Sequence, residues 1–121
     1  MNILIVDDDA IVIRSCRRIL EAEGHDVRTA NSVEQAVIMI EEQAFDLMVT
    51  DIKMPGQDGF AMIREAGKIR PGMPVLVMTG YLMPDTENDI RRLGVVHCIA
   101  KPFTPGELIA VVHKFKQKER L

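Results

Sequence analysis

The chain has 121 residues, 47% of them apolar and 27% charged, with a formal net charge of −3. That size fits one domain with a buried core and leaves no room for a second, and the acidic balance excludes a nucleic-acid-binding surface, whose footprint would be strongly basic. Cys16 and Cys98 stand far apart and outside any Cys-x-x-Cys pattern, which excludes a zinc or redox motif.

The N-terminal "ILIV" runs at once into "DDD", too short and too acidic for a signal peptide, and no apolar run approaches the ~20 residues of a membrane span. A reduced, cytoplasmic protein is expected. Aromatic residues are scarce, which argues against a stacking platform for single-stranded nucleic acid. The basic run "HKFKQKER" reads as a solvated helix end, where cations sit well.

Taken in chain order, Ile3 to Val6 is a short continuous apolar run. A helix follows from about Ala10 to Glu23, with Val12, Cys16, Ile19 and Leu20 as its inward stripe and Gly24 as its stop. Asp26 to Ala30 is a more polar strand suited to a sheet edge, and Ser32 opens a second helix with Gln35 at the capping-box spacing. Phe45 to Thr50 is the third strand, and Gly59 to about Lys68 the third helix. Val75 to Met78 is the fourth strand, Pro84 to Leu93 a polar fourth helix, and Val95 to Ala100 the fifth strand. The last helix has the clearest start: Thr104 as cap, Pro105 at the first helical position, Glu107 at the reciprocal place, then the stripe Leu108, Val111, Val112 and Phe115. Strand and helix alternating in this way require a parallel sheet with helices on both faces.

On that frame Asp7, Asp8 and Asp9 follow the first strand, Asp51 ends the third, Thr79 the fourth and Lys101 the fifth. All lie at the carboxyl edge, where open parallel sheets bind ligands; in the order 2-1-3-4-5 the switch point falls between the first and third strands, which carry the acids. Converging carboxylates repel unless a cation compensates, and a hard divalent ion suits oxygen ligands, Mg²⁺ best of all with Mn²⁺ as an alternative. Lys101 is a phosphate-binding point charge and Thr79 a hydroxyl donor. A metal, a lysine and a hydroxyl around one aspartate make a phosphoryl-transfer site with Asp51 as nucleophile.

The segments "LIVDDD", "TDIKMPGQDG", "VLVMTG" and "AKPF", in this order and each at a strand end, resemble the receiver domain of bacterial two-component response regulators over essentially the whole chain. The resemblance implies a flavodoxin-like (βα)5 sandwich around a five-stranded parallel sheet, residues 1–121 forming one receiver domain with no output domain in this chain. It implies Asp51 as the phosphoacceptor, supplied by a phosphohistidine of a sensor histidine kinase or histidine phosphotransfer protein. Asp8, Asp51 and the backbone carbonyl of Lys53 would hold Mg²⁺, with Asp7 acting through a metal-bound water. Thr79 would hydrogen-bond the phosphoryl group, Lys101 would pair with it, and the Lys101–Pro102 bond would be cis. Phosphorylation would change the surface of the fourth helix, fifth strand and fifth helix, and so control a downstream effector or an output domain on a longer regulator. Direct nucleic-acid or membrane binding by this chain is not expected.

Further expectations concern the site's neighbours. Lys53 and Tyr81, two residues beyond Asp51 and Thr79, are candidates for tuning the lifetime of the acyl phosphate. Ile11 and Ile13 lie roughly 100° to either side of Val12 on the first helix and are candidate partner contacts. Asp9 and Asp58 read as helix-terminal residues, Gly56 as a turn glycine, Asp46 as a loop-orienting or solvated acid, and Cys16, Met39, Met48, Met62 and Met78 as core. Receivers usually carry Tyr or Phe three residues before the lysine, a ring that swings inward with the threonine. Here Cys98 stands there, preceded by His97, which would face the opposite side of the sheet. The polar segment from Tyr81 to Leu93 is expected to be the most mobile and to be ordered by phosphorylation.

Two other classes compete. A metal-dependent phosphatase with an aspartyl nucleophile would place a second Asp two residues on, where this chain has Lys53. A flavin or nucleotide binder would need a glycine- or hydroxyl-rich loop after the first strand, where this chain has "DDDAIV".

Overall fold

The computed structural model describes residues 1–80, 84–95 and 97–119. In chain order its elements are β1 (Asn2–Val6), α1 (Ala10–Ala22), β2 (Asp26–Ala30), α2 (Val33–Glu42), β3 (Leu47–Asp51), β4 (Lys53–Met54), β5 (Gln57–Asp58), α3 (Gly59–Ile69), β6 (Val75–Thr79), α4 (Pro84–Arg92), β7 (His97–Ala100) and α5 (Pro105–Glu119). The main sheet runs β2-β1-β3-β6-β7 with every neighbour parallel. Past the short β4–β5 ribbon, that is the expected 2-1-3-4-5 order of a flavodoxin-like sandwich.

Side chains of a strand alternate between its faces, and both faces of this sheet are covered, so its inner strands read as continuous apolar runs. Ile3, Ile5, Leu47, Val49, Leu76 and Met78 pack with Cys16 and Leu20 of α1 and Leu108, Val112 and Phe115 of α5. Leu4, Val6, Met48 and Val77 face the other way, toward Ala36 and Ile40 of α2, Met62, Ile63 and Ala66 of α3 and Ile90 of α4. Met48, Met62 and Met78 are fully buried and Met39 packs at the margin, as core filler should.

The helix starts follow the capping residues. Asp9 accepts from the amides of Ile11 and Val12, Ser32 from Gln35 and Asp58 from Ala61. The Thr104–Glu107 box closes reciprocally, both bonds at 3.1 Å.

Beyond shifts of a residue or so at element ends, three features differ from the sequence reading: two strand starts and one added ribbon. β3 begins at Leu47, not Phe45, because Asp46 is tied to Asn2: its amide donates to the Asn2 carbonyl and its carboxylate accepts the Asn2 amide at 2.7 Å. β7 begins at His97, not Val95. Gly94 takes a left-handed φ of +85° and donates to Arg91, and Val95 donates to Ile90, so both residues complete the end of α4 in a Schellman arrangement. The third difference is the β4–β5 ribbon, two residues a side around Pro55-Gly56. Tyr81–Met83, the head of the segment expected to be mobile, lies outside the described residues. Among the described residues, no helix is long and apolar enough to cross a membrane.

Candidate functional site

Strand register assembles the site. Val6 pairs with Thr50, so Asp7 and Asp51, the residues that follow, emerge side by side where β1 and β3 end. Asp51 pairs with Met78 and Thr79 with Ala100, which brings Thr79 and Lys101 to the same edge. The Lys101 amide donates to the Thr79 carbonyl at 2.9 Å and carries the ladder one step past β7.

The two central carboxylates are held alike. Each gives one oxygen to the backbone amide two residues on, Asp7 to Asp9 and Asp51 to Lys53, both at 2.9 Å. Each gives its other oxygen to the Lys101 ammonium, at 2.7 Å in both cases. Asp7 is fully buried and Asp51 is 7% exposed, whereas Asp8 is exposed. Burial pushes the Asp7 carboxyl above its ordinary range, against the lowering effect of its bonds to Lys101 and Asp9. Burial alone would lower Lys101; its bonds to Asp51 and Asp7 outweigh that and hold the ammonium above the usual lysine range.

Asp7, Asp8 and Asp51 each offer a carboxylate oxygen, all within 4.8 Å of one another. Oxygen-only donors around one spot fit a hard cation of the Mg²⁺ or Mn²⁺ type and not a thiolate- or imidazole-seeking metal.

The remaining expected residues divide. Thr79 is fully buried at the end of β6. Lys53 is exposed on the ribbon. Ile11 protrudes, 74% exposed, while Ile13 is half-buried against the α1–α5 core. Cys98 is half-buried and packs on the α4 side; His97 faces the other way and meets Phe115 edge-on at 5.1 Å between ring centres. The Lys101–Pro102 bond is cis. Tyr81 lies outside the described residues.

Sequence reasoning missed the ribbon that carries Lys53, and with it a bond from the Val33 amide to the Gln57 side-chain oxygen at 2.6 Å. Pro55-Gly56 signalled a turn, but strands of two residues are too short to show a period.

The family model for the response regulator receiver domain matches residues 3–113. Transcriptional regulatory protein ZraR of Escherichia coli (strain K12) is 34% identical over 114 residues, which are 94% of this chain and 26% of that protein. The chain thus spans about a quarter of the length of the curated relatives it matches. A CheY-like receiver domain from Methanospirillum hungatei JF-1 superposes with a TM-score of 0.90 at 34% identity, over 98% of this chain and 96% of that one. NtrX from Brucella abortus does so with a TM-score of 0.92 at 32% identity, over 98% of this chain and 28% of that one.

Proposed function

Because the chain belongs to the response regulator receiver family, we propose that it is a cytoplasmic phosphorylation switch in which Asp51 accepts a phosphoryl group from a phosphohistidine. The observation that carries this reading is the buried Asp51 carboxylate at the carboxyl edge of β3, 2.7 Å from Lys101 and grouped with Asp7 and Asp8.

A carboxylate oxygen of Asp51 attacks phosphorus. The phosphorus–nitrogen bond breaks as the phosphorus–oxygen bond forms, and the electron pair returns to the departing imidazole, which takes up a proton. Lys101 is close enough to move its ammonium from the two carboxylates onto a phosphoryl oxygen, and Thr79, at the end of the neighbouring strand, would supply a hydroxyl to it. Asp8, Asp51 and the Lys53 carbonyl would hold Mg²⁺, with Asp7 acting through a water. The ion, when bound, would neutralise charge on the equatorial oxygens.

The donor is a sensor histidine kinase or a histidine phosphotransfer protein, met by Ile11 and, at its exposed edge, Ile13. Residues 1–121 act as one receiver domain. Readout runs through the surface of α4, β7 and α5 to an effector or to an output domain of a longer regulator, with Cys98 in place of the usual ring. A phosphatase reading gains no support, since Lys53 occupies the place of its second acid.

Incubation with Mg²⁺ and acetyl phosphate should give a labile phosphoryl adduct by intact mass, about 80 Da heavier as a carboxylate nucleophile requires, which Asp51→Asn abolishes. An adduct that survives in Asp51→Asn would refute the assignment. In the same assay, followed after donor removal, Lys53→Ala should change the decay rate; with a phosphorylated histidine donor, charged replacements of Ile11 and Ile13 should slow transfer. An unchanged rate removes the corresponding residue from the reading.

A further inference from the structure

The β4–β5 ribbon is too small to stand alone, since even longer isolated hairpins are marginal in water. Its two cross-strand pairs are Lys53 with Asp58 and Met54 with Gln57. Residues directly opposite in an antiparallel pair share a face. Lys53 and Asp58 therefore turn outward and are exposed, whereas Met54 turns inward and is buried against the core that contains α2 and α3. Gln57 follows Met54 inward.

There it meets a group that needs it. A helix leaves its first amides without intrahelical partners. At the start of α2 the Ser32 side chain takes the Gln35 amide and the Ser32 carbonyl takes the Ala36 amide, which leaves Val33 to another element. The Gln57 oxygen accepts from Val33 at 2.6 Å, short for a neutral N–H···O bond. The base of the ribbon is fixed separately: a Cβ at Gly59 would lie 2.6 Å from the Ile52 Cα and carbonyl oxygen, so the chain passes over itself in backbone contact.

We propose that Gln57 is a positioning residue: by gripping the first amide of α2 it holds the ribbon, and so keeps the Lys53 backbone against Asp51. The Lys53 amide already bonds Asp51 at 2.9 Å. The inference rests on the function proposed above in one respect, that the carbonyl of the same residue is a Mg²⁺ ligand.

The full chain as wild type, Gln57→Met and Gln57→Glu should be compared by NMR, reading amide exchange at Val33 and Lys53 and titrating with Mg²⁺ alone. Gln57→Met keeps the length and loses the oxygen; Gln57→Glu keeps an acceptor and adds a charge that a helix N-terminus favours. In Gln57→Met both amides should exchange about fivefold faster, the scale of one neutral hydrogen bond, and half-saturating Mg²⁺ should rise by a similar factor. Gln57→Glu should bring each quantity back to within about twofold of wild type. If Gln57→Met speeds Val33 alone, or neither amide, or if Gln57→Glu rescues nothing, the inference is overturned. A wild-type chain that binds no Mg²⁺ would instead sink the metal part of the proposed function, and the Lys53 exchange would still decide whether Gln57 holds the ribbon.

Discussion

The two faces of β7 are finished in different ways. Toward α5, Ile99 and His97 meet a helix with a reciprocal capping box and three buried anchors, Leu108, Val112 and Phe115. Toward α4, half-buried Cys98 meets a helix in which Ile90 is the one fully buried side chain among those described. Apolar burial sets how hard an element is to detach, at ~25 cal/mol per Å². By that measure α5 is the more firmly held wall behind Lys101, and α4 the side on which the proposed readout would act.

The largest test of this contrast truncates one anchor on each side. Leu108→Ala should lower global stability in urea by about 3 kcal/mol, the usual scale for a buried leucine. Ile90→Ala should cost less globally while abolishing amide protection across α4, because that helix can open alone. Equal global losses with α4 still protected would break the comparison. A smaller effect is expected at the α5 cap, where Thr104→Ala should cost about 1 kcal/mol in the same titration.

The finest test uses the two thiols, one on each face. Cys16, on the buried face of α1, lies on the α5 side of the sheet, and its thiol is pushed up from 9.0 to about 11, by burial first and by the Asp7 charge second. Cys98 is also raised by burial, with the Glu87 charge adding to it, but it is the more accessible of the two. A thiol reagent at pH 8 should therefore label Cys98 in the native state and Cys16 only as the chain unfolds. The folded-state value of Cys16 lies above its unfolded one, so its contribution to stability is intact below pH 9.0 and is lost as pH rises toward about 11. Cys16→Ala should flatten that decline. Phosphorylation should alter labelling at Cys98 and leave Cys16 unchanged; the reverse pattern would place the response on the α5 side.

Legibility in the sequence followed the length of each signal. The five strands of the main sheet and the five helices announced themselves through apolar runs, through helical stripes and through caps such as Ser32 and Thr104, with the polar edge strand Asp26–Ala30 the weakest signal, and Asp7, Asp51, Thr79 and Lys101 fell at strand ends by the same logic. The start of β7 was misread because Val95 is apolar either as a strand residue or as the residue that closes α4; only the backbone turn at Gly94 distinguishes them. Ile11 and Ile13 look equivalent on a helical wheel, yet one protrudes and the other packs, since exposure depends on what the fold places opposite. The Gln57 contact joins residues 24 apart, beyond the reach of any local pattern.

Backbone contact between Ile52 and Gly59 closes the segment 53–58 into a loop whose length is a dimension of the site. Inside it, the direction of each side chain depends on an even or odd count from the base. One inserted residue beside Gly56 would turn either Met54 or Gln57 outward and bring a charged neighbour in, leaving composition almost untouched while scrambling the fit. This stretch should accordingly accept no change in count, whereas the exposed turn at Pro71-Gly72, remote from the carboxyl edge, has no such parity to keep.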